Sequence, residues 1–167
     1  MSARPELESL IAADVRALTA EGEQIGRLFA GQNDLGPNDF RALIHIMVAD
    51  EAGTPLTAGE LRRRMGLSGA AITYLVERMI ASGHVRREAD PQDRRKVILR
   101  YAEHGLAVAR AFFTPLARHN SAALQDVTDE DLRAAHRVFA ALIEGMRGFQ
   151  GDLGGPAARR EPPTGPR

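Results

Sequence analysis

The periodicity of the chain changes twice. Up to Ile80 the apolar residues recur at helical spacing, from His84 to Tyr101 they alternate, and from about Glu103 the helical spacing returns. This predicts a mainly α fold with a single β-hairpin. His84 to Ala89 and Arg95 to Tyr101 read as the two strands, with Val97, Leu99 and Tyr101 on one face. Asp90-Pro91-Gln92-Asp93-Arg94 reads as the turn between them.

The segment before the hairpin carries two sets of helix boundaries. Thr57-Ala58-Gly59-Glu60 fits a capping box, in which the Thr57 hydroxyl accepts from the Glu60 amide and the Glu60 carboxylate from the Thr57 amide. Leu61 and Met65 face inward, and Gly66 ends the helix. Ser68 caps a second helix with Ile72, Leu75, Val76, Met79 and Ile80 inside, and Gly83 stops it. Two helices joined by Gly66-Leu67-Ser68 make a helix-turn-helix, and the hairpin after it makes the unit a winged helix.

The flanks are helical. Ile11, Val15, Leu18, Gly22, Ile25 and Phe29 form a seam on a helix from about Pro5 to Ala30. Pro37 opens a second helix with Phe40, Leu43, Ile44, Met47 and Val48 on one face. Residues 103–125 form another, interrupted by Pro115, which predicts a kink. Thr128 caps the last helix, where Leu132, Ala135, Phe139, Leu142, Met146 and Phe149 repeat. The expected organisation is an N-terminal dimerisation helix (5–34), a winged helix-turn-helix lobe (37–101) and C-terminal dimerisation helices (103–150). A tail (151–167) with four Gly and four Pro is expected to be disordered. Dimerisation follows because the terminal apolar stripes exceed what a small lobe can cover.

The 22 basic and 22 acidic residues cancel, but not locally. Between Glu60 and Arg100 ten basic residues face five acids, a net +5, and the remainder holds twelve against seventeen. The positive stretch coincides with the helix pair and the hairpin. The outward positions of the second helix are Gly69, Ala70, Thr73, Tyr74, Glu77 and Arg78. Laid in a major groove, such a face offers small residues for close approach, Thr73 and Tyr74 for base edges, and Arg78 for a phosphate. The N-terminus at Ser68 offers free amides to a phosphate. Arg94 and Arg95 at the hairpin tip, with Arg86 and Arg87 on the preceding strand, suit the adjacent minor groove. Asp93 can orient Arg95 through a bidentate pair. A solvated helix face and charge run is the alternative for each element alone; together they point to double-stranded DNA. A winged helix that docks a protein instead, through Tyr74, stays open.

The run Asp90-Pro91-Gln92-Asp93-Arg94-Arg95, followed by Val97, Leu99 and Gly105, resembles the wing signature of the MarR family of dimeric transcriptional regulators. Ser68-Gly69-Ala70-Ala71-Ile72-Thr73 and Gly83-His84-Val85 resemble its recognition helix and the start of its wing, and the resemblance spans about Leu7 to Phe149. It implies a homodimer with interlocking terminal helices, a repressor or activator role at a pseudo-palindromic operator, and Arg95 in the minor groove positioned by Asp93. Ser68, Ala70, Thr73 and Tyr74 would be the recognition residues. Tyr74 stands where the family often has Arg or Lys, and Ala102 where a Thr usually opens the next helix. The resemblance also implies a small aromatic acid effector between the dimerisation helices and the winged helix, with Arg16 and His45 as candidate contacts.

Other chemistry has little support. Without cysteine there is no disulfide, thiolate metal site or thiol sensor. His45, His84, His104, His119 and His136 show no metal-binding spacing, so no metal or cofactor is expected. No nucleophile or acid–base constellation points to an enzyme. No apolar run suits a membrane span and no leader segment is apparent, so a soluble cytoplasmic protein is expected.

Overall fold

The computed structural model describes residues 3–154. The elements in chain order are α1 (Arg4–Gln32), α2 (Pro37–Glu51), α3 (Ala58–Met65), α4 (Gly69–Ala81), β1 (Val85–Ala89), β2 (Val97–Tyr101), α5 (Glu103–Ala123) and α6 (Asp129–Gly154). Two compact units divide after Leu116.

The first unit forms around one apolar cluster. Phe29 of α1, Leu43 and Ile46 of α2, Leu61 and Met65 of α3, and Ile72, Leu75, Val76 and Met79 of α4 are buried together with Val85 and Leu99 of the hairpin. Three further phenylalanines extend it: Phe29 has ring centroids at 5.6 Å from Phe40, 5.1 Å from Phe112 and 5.3 Å from Phe113. Such spacings suit tilted and edge-on aromatic pairs. Tyr101 crosses from β2 to α2, where its hydroxyl donates to the Leu43 carbonyl at 3.0 Å.

The helix boundaries follow the local chemistry. The Glu60 amide donates to the Thr57 hydroxyl at 3.2 Å, and the Thr57 amide to the Glu60 carboxylate at 2.7 Å. This reciprocal pair holds the Glu60 carboxyl below the usual carboxylate range. Gly66 closes α3 in the left-handed region at φ 66°, and the Ala71 amide donates to the Ser68 hydroxyl at 3.2 Å to open α4.

The hairpin is antiparallel, pairing Val85 with Tyr101, Arg87 with Leu99 and Ala89 with Val97. The second strand starts at Val97 rather than Arg95, because the preceding residues belong to the turn: the Lys96 amide donates to the Asp93 carbonyl at 2.8 Å. Of the face Val97, Leu99 and Tyr101, only Leu99 is fully buried, and Val97 is exposed. Ile98, on the opposite face, is buried instead. On the strand's other edge a third backbone segment pairs with it: the Leu99 amide donates to the Leu56 carbonyl at 2.8 Å, and Thr57 bridges Ile98.

In the remaining helices, α5 continues through Pro115 to Ala123. Thr128 caps α6, its hydroxyl accepting from the Asp131 amide at 3.1 Å. This helix runs to Gly154, so 151–154 of the expected tail are helical, while 155–167 lie outside the described residues. Among the described residues no helix is long and apolar enough to cross a membrane.

Candidate nucleic-acid interface

The face of α4 opposite its buried stripe carries Gly69, Ala70, Thr73, Tyr74, Glu77 and Arg78, all exposed, with Ser68 exposed at the cap. The outward set expected from periodicity is therefore the exposed set. Its hydrogen-bonding capacity is narrower than the residue types suggest. The Ser68 hydroxyl accepts from Ala71, and the Thr73 hydroxyl donates to the Gly69 carbonyl at 2.9 Å. Thr73 keeps its methyl group and its oxygen lone pairs for an incoming group. Tyr74 is 68% exposed.

Arg78 differs from the expectation of a free phosphate-binding cation. Its guanidinium hydrogen-bonds to the Asp39 carboxylate and lies over the Tyr74 ring, 5.4 Å from the ring centroid. The bond to Asp39 is the largest influence holding the Arg78 pKa above its usual value. Asp39 sits in the first turn of α2, 39 residues away in sequence, and is 2% exposed.

At the wing, Arg95 projects with 94% of its side chain exposed. Asp93 holds it through one carboxylate oxygen, which accepts the Arg95 backbone amide at 3.2 Å and its Nε at 3.4 Å. The expected bidentate fork is not formed: a single carboxylate oxygen serves both the turn backbone and the guanidinium. Asp90 accepts the Gln92 amide at 2.8 Å, and its own amide donates to the Lys96 carbonyl at 3.0 Å. Arg94 is exposed and has no ion pair among the described residues. Arg86 pairs with Glu88 at 2.6 Å, and Arg87 with Glu77 at 2.7 Å, so Glu77 links the wing to α4.

A second feature is a groove of about 810 Å³ lined mainly by α1 and α2, including Ile25, Phe40, Ile44 and Phe113. His45 lines it together with Arg27 and Arg41, whereas Arg16 is exposed on α1 and does not line it. Burial, then the charges of Arg64 and Arg41, push the His45 pKa down, favouring a neutral ring.

Three contributors were not evident in the sequence: Asp39, Glu77 as the wing's anchor, and the Asp50 carboxylate that pairs with Arg100. For Asp39 the available signal was a carboxylate three residues after Gly36, whose amide it accepts at 2.8 Å. Asp50 and Arg100 gave none, since the pair closes only when β2 packs on α2.

Capped helix pair, exposed α4 face and hairpin define a winged helix-turn-helix protein. A profile of the MarR family matches residues 33–96, which contain the helix pair, the first strand of the hairpin and its turn. Over 131 residues the chain is 32% identical to YcgE of Bacillus subtilis (strain 168), named an uncharacterised HTH-type transcriptional regulator. The match covers 78% of this chain and 82% of that one. A MarR family protein from Bacillus stearothermophilus superposes with a TM-score of 0.60 at 28% identity, covering 88% and 99% of the two chains. A point mutant of MepR from a multidrug-resistant S. aureus isolate shares the fold, with a TM-score of 0.65 at 13% identity, covering 81% and 96%. The chain belongs to the MarR family of transcriptional regulators.

Proposed function

We propose that the protein is a homodimeric, sequence-specific DNA-binding repressor of a pseudo-palindromic operator, relieved by a small aromatic acid. The observation that carries this reading is the continuous exposed surface of Ser68, Gly69, Ala70, Thr73 and Tyr74 on α4, flanked by the exposed Arg94 and Arg95 of the wing. In this reading the first turns of α4 meet base edges in the major groove, and the wing arginines enter the neighbouring minor groove. Two-fold symmetry sets the two recognition helices about 34 Å apart, one turn of the duplex. The apolar groove along α1 and α2 offers a carboxylate two cations, Arg27 and Arg41, with the neutral His45 ring beside them as a hydrogen-bonding group. Arg16, the other candidate contact, is exposed on α1 and does not line this groove.

The test is affinity for promoter DNA across a salt series. Phosphate neutralisation releases counterions, so log affinity should fall linearly with log salt. A flat response, or co-purification with a protein partner and no DNA retention, overturns the reading. For the effector, salicylate should release the bound DNA. Unchanged affinity at saturating salicylate removes the aromatic acid while leaving the DNA reading in place.

A further inference from the structure

We propose that Asp39 and Arg78 act together as a positioning device for Tyr74: the buried carboxylate fixes the guanidinium, and the guanidinium fixes the ring on the reading face of α4. The inference rests on the DNA-binding reading above for its consequence, but not for its geometry. It assigns Arg78 a different role from the phosphate contact expected of it.

Three observations support the device. Asp39 is 2% exposed, and both carboxylate oxygens are engaged, one by the Gly36 amide at 2.8 Å and the other by Arg78. A buried carboxylate holds its charge only with such partners, so removing Arg78 leaves an expensive orphan. The α2 N-terminus, where Asp39 sits, favours the negative charge further and keeps the carboxylate in place. Arg78 is therefore bound to a fixed anchor on another helix.

The second observation is the guanidinium's position over Tyr74, 5.4 Å from its centroid and within cation–π range. Tyr74 and Arg78 are four apart on α4, so their side chains lie on one face. A planar guanidinium can give an N–H edge to a carboxylate while its face covers a ring, and an ammonium cannot do both. The third is the exposure of Tyr74, at 68%. Exposed and unrestrained, such a ring samples several rotamers. Held by Arg78, it meets a base edge in one orientation at low entropic cost.

The consequence is specificity without charge. Arg78 shapes which base pairs Tyr74 accepts, while its own charge is committed to Asp39 and adds nothing to phosphate binding. The experiment compares full-length wild type with Asp39→Asn, Arg78→Met, Arg78→Lys and Tyr74→Leu. Each is measured on the preferred duplex from random-sequence selection and on its single-base variants, over a salt series. Asp39→Asn, Arg78→Met and Arg78→Lys should each lower discrimination at the base pairs affected by Tyr74→Leu, by about 2- to 5-fold, the range of an exposed cation–π contact. The salt slope should not move. In the Tyr74→Leu background, Asp39→Asn should remove no further discrimination.

A salt slope lowered by about one in Arg78→Met marks a phosphate contact and overturns the proposal. So does full discrimination in Arg78→Lys, which preserves charge and is the mildest change to the fold. A readout without DNA keeps the two inferences separable. Tyr74 and Tyr101 are the only tyrosines, so ring-labelled tyrosine gives two assignable signals. Asp39→Asn and Arg78→Met should shift the Tyr74 ring resonance and leave Tyr101 in place. If wild type binds no DNA in a salt-dependent way, the regulator reading fails, and the ring shifts still decide the device. An unmoved Tyr74 signal in Asp39→Asn overturns it whatever the DNA result.

Discussion

Gly105 faces the backbone of His84 so closely that no side chain fits between them. A Cβ on Gly105 would lie 2.3 Å from the His84 carbonyl oxygen and 2.8 Å from its Cα. The Gly105 amide donates to the Gly83 carbonyl at 3.1 Å, and the Ala102 amide to the His84 carbonyl at 3.0 Å. The first turn of α5 is thereby fastened to the bend that joins α4 to β1.

Gly105→Ala is accordingly expected to destabilise the protein by about 1–3 kcal/mol, the cost of an overpacked site, despite the better helix propensity of Ala. Gly59→Ala is the comparison. A Cβ there meets only the Thr57 hydroxyl oxygen, at 3.9 Å. Urea midpoints at one protein concentration should drop for Gly105→Ala and hold or rise for Gly59→Ala. Equal midpoints would show that the α5 turn yields.

His84 makes stability pH-dependent. It is 4% exposed, its Nδ1 lies 2.9 Å from the Ser82 hydroxyl, and its Nε2 has no hydrogen-bond partner among the described residues. Burial pushes its pKa below the ordinary histidine value, and His104, with its ring 5.2 Å away, adds to the effect while Asp39 opposes it. The unfolded chain therefore takes up a proton first. Stability is full where both states are neutral and falls as pH drops through about 6.5, until the folded ring also protonates. His45, lowered in the same direction, contributes to the same window. Denaturation from about pH 8 to about pH 5, the range in which histidine titrates, should show this decline, with a smaller slope in His84→Gln. An identical slope in that variant assigns the decline to other groups.

Much of this architecture was legible because its signals are local. Thr57 and Glu60, Ser68 and Ala71, and the glycines at 66 and 83 bring their partners within a few residues, so their spacing already states the contact. The exposed face of α4 followed from periodicity for the same reason. The illegible parts depend on chain segments meeting from afar. Arg78 reads as a free cation until α2 delivers Asp39 to it. Ile98 reads as the outer face of a hairpin until Leu56 and Thr57 cover the strand's other edge. The Asp93–Arg95 contact was legible as a pair but not in its geometry, since the demands of the turn backbone on one oxygen are invisible in composition.

The wing separates charge from orientation. Arg95 extends into solvent, its side chain held by Asp93 through Nε alone. Arg95→Ala should weaken binding on every duplex and reduce the salt slope by about one. Asp93→Ala removes the restraint and leaves the cation, so it should lower affinity less and keep the slope. Titrations at several salt concentrations distinguish the two. A slope unchanged in Arg95→Ala would place that side chain away from the phosphates.

The terminal helices supply the remaining test. In the single chain α1 exposes Leu7, Leu10 and Leu18, and α6 exposes Phe139, Ile143, Met146 and Phe149, the last at 64%. On α6 these residues recur at steps of three and four, the spacing of a face that meets another helix. Left in water, so many large apolar side chains forgo about 25 cal/mol for every Å² they could bury. A second copy is the simplest cover, and a stable interface of standard size buries about 1,600 Å² in total. Light scattering at micromolar concentration should give twice the 18.1 kDa of one chain. Met146→Arg places a charge in that stripe and should shift the mass towards the monomer. DNA affinity should fall with it, because two recognition helices on one duplex bind far more tightly than one. A Met146→Arg protein that keeps both its mass and its affinity would put the dimer contact on another face.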